Sequence, residues 1–278
     1  MAKFKTIVLM VGLVLIFMYC GNLIAGEEGM KTAFLAACGM NFFSYFFSDK
    51  MVLSHYKAAE VSASNQPELY QIVARLANRA GLPMPKIYII PDDVPNAFAT
   101  GRNPKHAAVA VTRGLLNLMT AQEVEGVLAH EMSHVRHYDI LIGSVAAVFA
   151  GAIAMLGNWA RYGSRSQNNN RQSALGVVVM PLAATVVQMA ISRTREYKAD
   201  EGAAYLTNHP EWLISALQKL EGYAQNYQMT AANAQTAHMF IINPFSGLKS
   251  SFTGLFSTHP STKDRIERLR QIGADIKS

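Results

Sequence analysis

The chain has 278 residues, of which 50% are hydrophobic and only 16% charged, with a net charge of +6. Soluble globular domains carry about a quarter charged residues, so the composition points toward a membrane and away from an ordinary soluble enzyme. No stretch interleaves basic and aromatic residues densely, which excludes a nucleic-acid reader, and both cysteines, Cys20 and Cys38, fall within apolar runs, which excludes a disulfide framework.

Residues Ile7–Ile24 carry no charge, and Thr32–Ser48 form a second uncharged run before Asp49 and Lys50. A helix needs roughly 17 to 20 apolar residues to cross the hydrocarbon core, so both qualify, the second narrowly. Lys3 and Lys5 also resemble the start of a signal peptide. The run outlasts a usual h-region, however, and no small-x-small cleavage site follows, which favours an uncleaved anchor. Lys3 and Lys5 before the first run, Glu27 and Glu28 between the two, and Lys50 and Lys57 after the second place the N-terminus and the 50–139 segment in the cytoplasm.

Pro67 opens a predicted helix whose apolar face is Leu69, Ile72, Val73 and Leu76 and whose stop is Gly81. Residues 86–90 ("KIYII") read as a strand, and 96–101 ("NAFATG") with 106–111 ("HAAVAV") as a hairpin turning at Asn103-Pro104. Thr120 and Glu123 have capping-box spacing, so a helix should begin at Ala121 and continue toward the third apolar run with little or no interruption.

That helix carries "HEMSH". Positions i and i+4 share a helix face, so His130 and His134 can offer imidazole nitrogens to one zinc ion, with Glu131 close by as a base rather than a ligand. Surface histidines beside an acid would be the bland alternative. Two further apolar runs follow, 140–159 and 174–191, joined by the arginine-bearing link 161–173. That pair either spans the bilayer despite its arginines or forms an apolar hairpin that does not fully cross, and its length favours spanning. An antiparallel pair would return Glu196, in "REYKAD", to the membrane face of His134 as a third ligand, with Asp200 one turn on as acceptor for a histidine N–H. Helices over 210–224 and 259–273 complete the pattern, with loop and short pieces of structure over 225–258 between them.

The stretches "PNAFATG" (95–101), "AHEMSH" (129–134), "SRTREYKADEGA" (192–203) and "THPSTKDRIERL" (258–269) resemble the HtpX branch of the integral-membrane zinc metalloproteases, relatives of the type I CAAX prenyl proteases. The resemblance covers nearly the whole chain. It implies a mainly α fold with a small β-sheet, a four-helix membrane anchor carrying a zincin-like catalytic domain. The divisions would be two transmembrane helices (1–53), a first protease half (54–139), a transmembrane hairpin (140–191) and a second protease half (192–278). It implies one Zn2+ held by His130, His134 and Glu196, Glu131 as general base and Asp200 behind the ligands. Asn96, Ala97, Phe98 and Ala99 would belong to an edge strand that pairs with extended substrate, and His259 and Arg265 would lie near the reacting carbonyl. His137 reads as structural, because its spacing does not match a third histidine ligand.

The expected activity is a zinc endopeptidase of the bacterial inner membrane, facing the cytoplasm and degrading misfolded or damaged membrane proteins as quality control under stress. A prenylated-peptide protease is disfavoured because four spans enclose little volume. A zinc-stabilised, non-catalytic membrane scaffold is disfavoured because structural zinc usually has four protein ligands with cysteine common, and the soluble segments hold none.

Overall fold

The computed structural model describes residues 2–143, 145, 193–226, 241 and 260–277. Most of the third apolar run, the link 161–173, the fourth run and His259 lie outside the described residues.

Helix α1, Ala2–His55, is bent into two arms at Ala25 and Gly26. Gly26 has φ of 61° and ψ of −144°, a region that glycine enters readily because it has no Cβ. The arms correspond to the first two apolar runs, and Asn41 Nδ2 of the second donates to the Met10 carbonyl of the first at 3.2 Å. Among the described residues, Thr6–Leu23 is the one helical stretch long and apolar enough to cross a membrane by length and composition.

Four strands follow: β1 (Ala59–Val61), β2 (Lys86–Ile90), β3 (Ala97–Gly101) and β4 (Ala107–Thr112). Their order is β1-β2-β4-β3, with β2 and β4 parallel and both outer pairs antiparallel, so β3 is an edge strand. The expected hairpin is present, closed by a 3-10 turn at Pro104–His106. Strand β4 is buried throughout. Its Val109 and Val111 face a helical layer, while Ala108 and Ala110 face Val52 and Leu53 at the end of α1, as period-two alternation requires.

The helical layer contains α2 (Pro67–Ala80), α3 (Arg113–Leu118), α4 (Ala121–Arg136), α5 (Arg193–Thr207), α6 (Pro210–Asn226) and α7 (Thr262–Lys277). Helix α2 buries the four residues its periodicity selects and stops at left-handed Gly81. Helix α4 starts with the expected capping box between Thr120 and Glu123. It runs through the centre of the core, packing Val127, Leu128 and Met132 with Leu213 and Leu217 of α6 and Ile266 and Leu269 of α7. The expected continuity toward the third run is broken briefly: α4 ends at Arg136, Tyr138 has φ of 63°, and helix resumes at Asp139.

Candidate metal centre

Helix α4 brings His130, Glu131 and His134 to its buried end, and α5 packs alongside it to deliver Glu196 and Asp200. The two helices approach closely at Gly202, where an added Cβ would run into the Ser133 side chain.

His130 Nε2 and His134 Nε2 are 3.2 Å apart, and the Glu196 carboxylate lies 3.6 Å from the first and 3.5 Å from the second. The 3.6 Å contact is to Glu196 Oε2 and the 3.5 Å contact to Oε1, and one ligand atom from each of the three residues lies within 4.8 Å of the others, a grouping that could hold a metal ion. The donor chemistry agrees. His130 Nδ1 is 3.0 Å from Asp200 Oδ1, and His134 Nδ1 is 3.3 Å from Asp139 Oδ2. With both Nδ1–H groups donated to carboxylates, both Nε2 lone pairs point at one place, an arrangement that a cation resolves.

Asp200 and Arg265 are each only 1% exposed. Arg265 donates from Nε and Nη2 to the two Asp200 oxygens at 2.9 and 2.7 Å, and from Nη1 to the Ile241 carbonyl at 2.8 Å. Its Nη2 also lies 3.4 Å from His130 Nδ1, but the Asp200 oxygen is nearer and takes that N–H. The resemblance implies Arg265 near the reacting carbonyl; the structure places it behind His130, with its donors turned to Asp200 and Ile241. That geometry fits a residue that holds the ligand's partner.

Burial works against a charge on His130, yet hydrogen bonds to Asp200 and Glu196 outweigh burial and the opposing Arg265, raising its pKa from 6.5 to about 9. The field around the imidazole therefore favours positive charge, which a divalent ion would supply in place of a proton. For Asp200, burial alone would raise the pKa, but Arg265 and His130 hold it below the usual carboxylate value. Glu131 is raised, chiefly by burial, with His130 and His134 opposing.

Glu131 Oε2 accepts the Ala99 N–H of β3 at 2.9 Å, which ties the acid to the edge strand. Asn96 is buried and clasps Thr112: its N–H donates to Thr112 Oγ1 at 2.8 Å, and its carbonyl accepts from Thr112 N–H and Oγ1. Ala97 and Phe98 are buried too, Phe98 against the end of α1. Of the expected substrate strand, the backbone edge faces the ligands while these side chains anchor it. His137 caps α4 and stands apart from the cluster.

Sequence reasoning missed Asp139 and its partner Arg195, whose Nη1 lies 3.4 Å from Asp139 Oδ1. The one hint in the sequence was an aspartate just past the helix; the left-handed turn at Tyr138 that folds the chain back beneath His134 is seen only in the structure.

The model of peptidase family M48 matches residues 63–273. Among curated proteins, the chain is 66% identical to a "Protease HtpX homolog" of Campylobacter hominis over 98% of this chain and 99% of that protein. A homologue of the same name from Thermococcus sibiricus is 49% identical, covering 98% of this chain and 96% of its own length. The crystal structure of S. mikatae Ste24p shares the fold with a TM-score of 0.54 at 18% identity; the match covers 96% of this chain and 65% of that one. The chain belongs to peptidase family M48.

Proposed function

We propose that this member of peptidase family M48 is an integral-membrane zinc endopeptidase that cuts misfolded or damaged membrane proteins at the cytoplasmic face of the bacterial inner membrane. The observation carrying the reading is the convergence of His130, His134 and Glu196, with one ligand atom from each within 4.8 Å of the others and each imidazole backed by a carboxylate. Membrane placement rests on the apolar stretch Thr6–Leu23 and on large side chains left exposed along both arms of α1, among them Leu15 at 60%, Leu35 at 70% and Phe43 at 60%. Such a surface marks contact with an apolar medium.

His130, His134 and Glu196 would hold one Zn2+, leaving a fourth position open. When bound, zinc supplies Lewis acidity toward a carbonyl and lowers the pKa of water toward about 7. Glu131, with its raised pKa, takes the proton of the attacking water and hands it to the leaving amine. Because Glu131 also accepts the Ala99 N–H, the base stands in fixed register with β3, along whose free edge an extended substrate would pair. Asp200, clamped by Arg265, holds the His130 ring and its tautomer, and Asp139 does the same for His134.

Purified full-length protein tests this directly. Glu131→Gln should bind one zinc, measured by elemental analysis, and cleave a model membrane protein at least about a thousandfold more slowly, the upper range of a general-base contribution. Cleavage at the parent rate would remove Glu131 from the mechanism, and a parent protein without bound zinc would remove the metal.

A further inference from the structure

A cavity of about 690 Å3 opens between α1 and the rest of the protein, away from the metal ligands. Its apolar side is built from Ile7 and Met10 of the first arm and Leu141 beyond α4. It is lined as well by Arg102 and Lys105 from the β3–β4 connection, by Arg136 from the end of α4, and by Tyr45 and Tyr138. Among the described residues no acidic group lines it, and none of the three cations has an ion-pair partner. The Arg102 guanidinium instead lies over the Phe46 ring at 5.4 Å.

We propose that this cavity binds one anionic phospholipid, its phosphoryl headgroup on Arg102, Lys105 and Arg136 and its upper acyl chain against Ile7, Met10 and Leu141. The meeting of three cations with apolar side chains in one cavity carries the inference. The apolar stretch begins at Thr6, itself a lining residue, and Met10 lies about one turn deeper, roughly 6 Å along the helix axis. The cavity therefore joins cationic side chains to the level where the apolar stretch starts, with two tyrosines in its lining, a residue type enriched at headgroup level. Unpaired cations select a negative headgroup over a zwitterionic one. A free phosphate would satisfy the cations alone and leave the apolar side without a ligand, and the volume lies within the range of about 300–1,000 Å3 for ligand pockets.

The proposal rests on the membrane placement in the preceding reading and not on its chemistry, so it is tested in the inactive Glu131→Gln protein. Native mass spectrometry of the full chain in mild detergent, with equal phosphatidylglycerol and phosphatidylcholine, reads retention. Phosphatidylglycerol should be retained at least about tenfold better. Each cation near an anionic headgroup is a factor of about five, so Arg102→Gln, Lys105→Gln and Arg136→Gln together should lower retention about a hundredfold. Met10→Trp fills the apolar side without changing charge and should also displace the lipid. Millimolar glycerol 3-phosphate should not compete. Equal retention of the two lipids, parent-level retention by both variants, or displacement by glycerol 3-phosphate would each overturn the proposal. Release of the protein from membranes by alkaline carbonate would instead remove the membrane placement, an outcome read separately.

Discussion

At the scale of single residues, the centre is two imidazole–carboxylate pairs of unequal build. Asp200 is locked by a bidentate guanidinium and is 1% exposed, whereas Asp139 meets Arg195 through one 3.4 Å contact. Loss of a carboxylate behind a liganding histidine typically costs about 10- to 100-fold in metal affinity, so Asp139→Asn and Asp200→Asn should both weaken zinc binding by that much in a competition titration against a coloured chelator. Their stabilities should diverge. Asp200→Asn strands Arg265 and should cost about 3–5 kcal/mol in chemical unfolding, while Asp139→Asn should stay near the parent. Arg265→Lys should not restore stability, because an ammonium cannot reproduce the two-pronged contact. His130, Glu131 and His134 were legible in the sequence because i, i+4 spacing is a local property of a helix. Asp139 was not, because its position beneath His134 depends on a reversal at Tyr138 that no residue type there announces. The direction in which Arg265 points was hidden as well, since it follows from the packing of α7 against α5.

At the scale of elements, α4 is the part on which the others are aligned, and its two ends can be tested apart. At its start, Thr120 Oγ1 accepts the Glu123 N–H at 3.3 Å and Glu123 accepts the Thr120 N–H at 2.7 Å, so Thr120→Ala should cost about 1 kcal/mol of stability. Burial raises the Glu123 pKa, but Lys219, Ser215 and the Thr120 N–H outweigh it and leave the group below its ordinary 4.5. A depressed folded pKa contributes stability that is present above 4.5 and lost as pH falls through the folded value. The metal-free stability of the parent should therefore decline through that acid window, and Glu123→Gln should flatten that part of the profile. At the far end, Gly202→Ala would push its Cβ into Ser133 and separate the helices that carry the ligands. It should destabilise by about 1–3 kcal/mol and lower zinc affinity, with partial recovery in the double variant Gly202→Ala, Ser133→Ala, where the closest atom is gone. The helices α2 and α4, strand β2 and the hairpin were readable because caps, turns and periodicity are written within each segment. Strand β1 and helix α3 are short, and their states follow from pairing with β2 and from packing beneath the sheet, so no local pattern marked them.

At the scale of the molecule, the metal site joins segments far apart in the chain. Glu196 lies beyond the third and fourth apolar runs from His130 and His134, and Arg265 comes from the last helix. Between α4 and α5 the ion would act as a cross-link in the folded protein alone, and by mass action such a ligand stabilises by about 2.7 kcal/mol at a hundredfold excess over its dissociation constant. For a chain of this size, roughly 2–4 °C per kcal/mol makes that about 5–10 °C of melting temperature, which chelation should remove and zinc should restore. The comparison that decides the matter uses two variants. Glu131→Gln keeps all three ligands, so its melting temperature should respond to zinc as the parent's does although it cleaves nothing. Glu196→Ala breaks the link between the helices, so zinc should move its melting temperature far less. An equal response in Glu196→Ala would place the stabilising ion elsewhere, whereas loss of the response in Glu131→Gln would make that carboxylate a ligand in its own right.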